Sequence, residues 1–68
     1  MMLKGSLYVL HDFIKREQPV TITKEKLAEE TGYEYKTVSR GLQRLVRDGL
    51  IEAEPISGRG PSTYQVAQ

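Results

Sequence analysis

LAEETGYEYKTVSRGLQRLVRDGLI, residues 27–51, is the stretch whose reading decides the fold. It reads as a short helix, a turn containing Gly32, a longer helix, and a strand entered after Gly49. The longer helix runs from about Tyr35 to Asp48. Val38, Leu42, Leu45 and Val46 recur along it at spacings of four, three and one, the periodicity of a helix with one buried face. Lys36, Arg40, Arg44 and Arg47 recur on the other side at four, four and three. From Tyr35 to Arg47 there are four cations and no anion, in a chain whose formal net charge is only +1. A helix apolar behind and wholly cationic in front is shaped for contact with phosphates.

On either side of this helix the charge reverses. Residues 25–34 carry Glu25, Glu29, Glu30 and Glu34 against Lys26 alone, and residues 48–54 carry Asp48, Glu52 and Glu54. Upstream, Lys24 to Thr31 forms the short helix, with Thr23 as its N-cap and Glu25 near the positive end of its dipole. Gly32 stands where the helix must end with positive φ. Val20-Thr21-Ile22, β-branched throughout, reads as a short strand. Met2 to about Glu17 is a first helix, with Leu3, Leu7, Leu10 and Ile14 as its main stripe and Met2, Val9 and Phe13 beside it. Gly5 weakens its first turns, and Pro19 follows its end. Downstream, Leu50–Glu54 and Thr63–Val66 read as two strands. The PISGRGPS segment between them, residues 55–62, is a loop by composition with Arg59 at its tip. Two strands so joined form an antiparallel hairpin with a projecting end.

Length and composition bound the rest. Sixty-eight residues make a single domain, 1–68, and a chain this small buries only about 60% of the surface its unfolded form exposes. Without cysteine there are no disulfides or thiolate metal sites, and the lone His11 makes no metal site by itself. The apolar runs are far too short for a membrane span and the start lacks a secretory h-region, so a cytoplasmic protein is expected. No Walker loop, paired catalytic carboxylates or nucleophile–base spacing is present, so no enzyme activity and no cofactor are expected. No spare domain or evident pocket points to a small-molecule ligand.

Helix, strand, helix, turn, helix, hairpin is the order of the winged helix-turn-helix, and the residues resemble that family too. Leu27-Ala28-Glu29-Glu30-Thr31-Gly32 is similar to its second helix and turn. Thr37-Val38-Ser39-Arg40 with Leu42, Leu45 and Asp48-Gly49-Leu50-Ile51 resembles its recognition helix and following strand. Gly58-Arg59-Gly60-Pro61 before Thr63-Tyr64 looks like its wing. MarR-like and ArsR-like regulators are similar, as are winged-helix modules of replication proteins. The resemblance implies an α+β fold of three helices and a small antiparallel sheet. It also implies binding of double-stranded DNA, with the third helix in the major groove.

On that reading Arg40 is the leading contact, since it points directly away from the Val38/Leu42 stripe. Lys36 and Thr37 lie in the first turn, where such helices meet bases, and Ser39 shares the motif. Gln43 has the donor and acceptor that an adenine edge needs. Arg44 and Arg47, further along, suit phosphates. Tyr35 is either a DNA-facing phenol or a partly packed ring; Tyr33 reads as core. Lys24 touches a phosphate at the second helix start, or Thr23 simply caps there. Gly58, Arg59 and Gly60 form the wing contact. Glu34 departs from the small Ser- or Thr-type cap the family favours at that position, and an acid there repels phosphate unless it caps the helix or pairs with Lys36. The wide apolar face of the first helix has two explanations: burial between the third helix and the hairpin, or a homodimer seam through Met2, Val9 and Phe13. The function expected is that of a small transcription regulator. A protein-binding winged-helix adaptor, or the DNA-binding module of a replication or recombination assembly, are the alternatives.

Overall fold

The computed structural model describes residues 3–55 and 60–67. These residues form α1 (Gly5–Glu17), β1 (Val20–Ile22), α2 (Lys24–Thr31), α3 (Tyr35–Arg47), β2 (Ile51–Glu54) and β3 (Ser62–Val66). β3 lies in the middle of the sheet, antiparallel to β1 on one side and to β2 on the other. Val20 pairs with Tyr64, and Ala53 pairs with Tyr64 from the opposite edge. This is the winged helix-turn-helix arrangement, three helices against a small antiparallel sheet.

Local chemistry sets the element ends. The Lys26 N–H donates to Thr23 Oγ1 at 3.1 Å, so Thr23 is the N-cap of α2. Gly32 closes α2 at φ +80, its N–H donating to the Ala28 carbonyl at 2.8 Å. At the end of α3, the Leu50 N–H donates to the Leu45 carbonyl (2.9 Å) and the Gly49 N–H to that of Val46 (3.0 Å). With Gly49 at φ +75, this is a Schellman motif. It turns the chain directly from α3 into β2.

The core is drawn from every layer. Leu10 and Ile14 of α1, Leu27 of α2, Val38, Leu42 and Leu45 of α3, and Ile51 and Tyr64 of the sheet are all at most 2% exposed. Burying each such side chain is worth about 1.5–3 kcal/mol. α1 packs on both α3 and β3. The first of these contacts is close: a Cβ on Gly41 would stand 2.6 Å from Leu10 Cδ1. Leu3, Leu7 and Phe13 pack against this core as half-buried neighbours. Burial between α3 and the sheet thus accounts for much of the wide apolar face of α1, with Phe13 packed against the core but only half-buried.

Several boundaries differ from the sequence reading. α1 begins at Gly5, not Met2, because Gly5 takes φ +58 and Lys4 before it is extended. Met2 lies outside the described residues. α3 ends one residue early, at Arg47, with Asp48 as its cap. β2 begins at Ile51 rather than Leu50, and β3 gains Ser62. Ser62 is 1% exposed, and its hydroxyl donates to the Pro55 carbonyl at 2.8 Å, tying together the two ends of the hairpin loop. The Gln18 side-chain oxygen accepts from the Val66 N–H at 2.8 Å and pins the end of α1 to β3.

Candidate nucleic-acid interface

The Val38/Leu42/Leu45 stripe anchors α3 to the interior and so fixes which side chains face outward. Lys36, Arg40, Gln43, Arg44 and Arg47 are exposed; Thr37 and Ser39 are half-buried beside them. Arg40, Gln43, Arg44 and Arg47 line one shallow surface depression. Among the described residues no carboxylate pairs with Lys36 or Arg40. Two of the three acidic residues of α2 are occupied on their own helix, where Lys26 reaches Glu29 at 3.6 Å and Glu30 at 3.5 Å.

The start of α3 lacks a side-chain cap. Glu34 is the N-cap residue of α3, yet its side chain makes no capping hydrogen bond. The first amides of α3, which point along the positive end of its dipole, are therefore not satisfied by that carboxylate. The other end is different: Arg44 Nε lies 3.5 Å from Asp48 Oδ2, and Arg47 Nε lies 3.7 Å from Asp48 Oδ1. A cationic helix face, braced from behind, beside a two-stranded hairpin, is an arrangement able to enter a groove of duplex DNA.

The Crp-like helix-turn-helix domain matches residues 6–59 of the chain. The chain belongs to that family. Crp-like helix-turn-helix domains bind DNA and are not a family of enzymes. The match supports the winged helix-turn-helix reading and names the Crp-like family rather than MarR-like or ArsR-like regulators. No curated protein matches the chain.

Lys24, expected to touch a phosphate at the start of α2 with plain N-capping as the alternative, is only 5% exposed in this Crp-like domain and is engaged in an interaction of its own. Its long aliphatic stem makes such burial affordable at the first position of α2. Tyr35 is half-buried. Burial pushes the Tyr64 phenol above its ordinary value; a Ser62 hydrogen bond opposes this, and Tyr35 adds to it. Gly60 is exposed at the end of the hairpin loop. Gly58 and Arg59 lie outside the described residues. Sequence pattern places Asp48 at the end of the third helix and in an acidic flank; its contact with two arginines is a finding of the structure, although its i+4 spacing from Arg44 is a signal for it. No helix among the described residues is long and apolar enough to cross a membrane, and no acid–histidine cluster there could hold a metal.

Proposed function

We propose that this Crp-like domain binds double-stranded DNA sequence-specifically, as the DNA-reading part of a transcription regulator. α3 lies in the major groove, with Lys36, Thr37, Ser39, Arg40 and Gln43 toward base edges and Arg44 and Arg47 toward phosphates. The hairpin loop, residues 55–62, lies along the neighbouring backbone or minor groove. The observation that carries this reading is the pair Lys36 and Arg40, exposed and without a carboxylate partner among the described residues, opposite the buried stripe of the same helix. The reading does not need a dimer. On α1, Val9 and Phe13 are both half-buried, and Phe13 also packs against the core.

The test is binding to duplex over a range of salt, with Arg40→Ala beside the parent chain. About four to six phosphate contacts correspond to a log–log salt slope of roughly −4 to −5. Loss of one base-edge arginine is expected to weaken binding by about 1–3 kcal/mol. Its melting transition should stay close to that of the parent, since the side chain is outside the core. Binding that hardly changes with salt, or an Arg40→Ala chain that binds as the parent does, would contradict the proposal.

A further inference from the structure

Two of the four cations on α3 share one counter-charge. The Asp48 carboxylate stands between Arg44 and Arg47, one oxygen toward each guanidinium, at 3.5 and 3.7 Å. Its side chain is 26% exposed, whereas the arginines are 58% and 73% exposed. Helix ending does not require that carboxylate. The cap is made by backbone, with the Asp48 N–H donating to the Arg44 carbonyl at 2.9 Å and Gly49 completing the turn. A carboxylate is moreover disfavoured at a helix C-terminus, where the dipole is negative. The nearby partners that compensate for its position are the two arginines.

We propose that Asp48 masks Arg44 and Arg47 from phosphate and so sets how tightly α3 grips DNA of any sequence. This inference rests on the DNA-binding reading above. The masking is selective along the helix: Arg44 and Arg47, placed to meet phosphates, are held, while Lys36 and Arg40, nearer the bases, have no such partner among the described residues. Phosphate contacts carry affinity without sequence information, so a carboxylate competing for them lowers indiscriminate binding and leaves base reading in place. On the duplex each guanidinium exchanges carboxylate for phosphate oxygen.

The experiment is a titration of the full chain and of Asp48→Asn with a duplex of arbitrary sequence at several salt concentrations. Each is repeated with Arg44→Ala added, and thermal melting is followed in parallel. Two exposed pairs, each worth a factor of about 1.5 to 5, make Asp48→Asn bind about two- to twenty-five-fold tighter at low salt. Its salt slope should be steeper by about one. Arg44→Ala should cost more affinity in the Asp48→Asn chain than in the parent, a coupling that a merely structural role of Asp48 does not produce and that remains measurable if Asp48→Asn melts lower. Equal or weaker binding by Asp48→Asn, with the same Arg44→Ala cost in both backgrounds, overturns the masking alone. Failure of both chains to bind duplex at low salt overturns the DNA-binding reading and the masking with it.

Discussion

Arg40 and Arg44 are one helical turn apart and chemically identical, yet among the described residues only Arg44 has a carboxylate within reach. Surroundings rather than residue type therefore separate their roles, and the same holds for Lys24. By composition a lysine belongs at the surface, and pattern reading put it there; only the folded chain shows that α2 buries it. Tyr64 offers a residue-scale test of the interior. Its phenol is raised above the usual value of 10.0, chiefly by burial, so the folded state favours the neutral form. A raised folded value stabilises the fold below the unfolded value and loses that contribution as pH climbs through the folded one. Urea midpoints measured from pH 8 upward should thus stay level for the parent chain and fall once pH passes about 10. Tyr64→Phe should remove much of this alkaline fall. An equally steep fall in Tyr64→Phe would place its cause elsewhere.

Among the elements, those with strong local signals could be read from sequence almost to the residue. Thr23 followed by a polar–apolar helix pattern and Gly32 marks α2 at both ends, and Gly49 marks the end of α3. At Gly49 nothing lies within 4 Å of an added Cβ, so a substitution there meets backbone strain alone. Gly49→Ala is expected to cost about 1–2 kcal/mol, seen as a lower urea midpoint at unchanged m-value. Long-range facts were less accessible. The hairpin was evident, but not that β1 would join it on the β3 side, because strand order depends on tertiary packing rather than local pattern. Nor could pattern assign Ser62 to a strand, since Pro61 and Ser62 read as loop. Gly41 carried no signal at all. In the structure it lets α1 approach α3, with Leu10 Cδ1 only 2.6 Å from where its Cβ would be. Gly41→Val should overpack this contact and destabilise by about 1–3 kcal/mol. A Gly41→Val midpoint equal to the parent's would show that the two helices can separate freely.

At the scale of the molecule, one helix serves two surfaces at once. Its apolar stripe joins residues from α1, α2 and the sheet, and its cations remain outside because that stripe is held inside. Both surfaces were legible because each repeats at helical spacing; the sharing of Asp48 was not, since it depends on rotamers at the helix end. Coupling between the two surfaces makes Leu42→Ala expensive. Losing that side chain typically costs about 2–5 kcal/mol, a large share of what a domain of this size has to spare. Circular dichroism should show unfolding, and duplex binding should disappear with the fold rather than before it.

The central claim is that duplex DNA meets the outward face of α3. Amide and side-chain NMR shifts of the labelled chain, followed while duplex is added at low salt, test it most directly. The account expects the largest changes at Lys36, Thr37, Arg40, Gln43 and Arg44, with the exposed faces of α2 and β2 little altered. Changes centred on Glu29, Glu30, Glu52 or Glu54, with α3 unaffected, would contradict it.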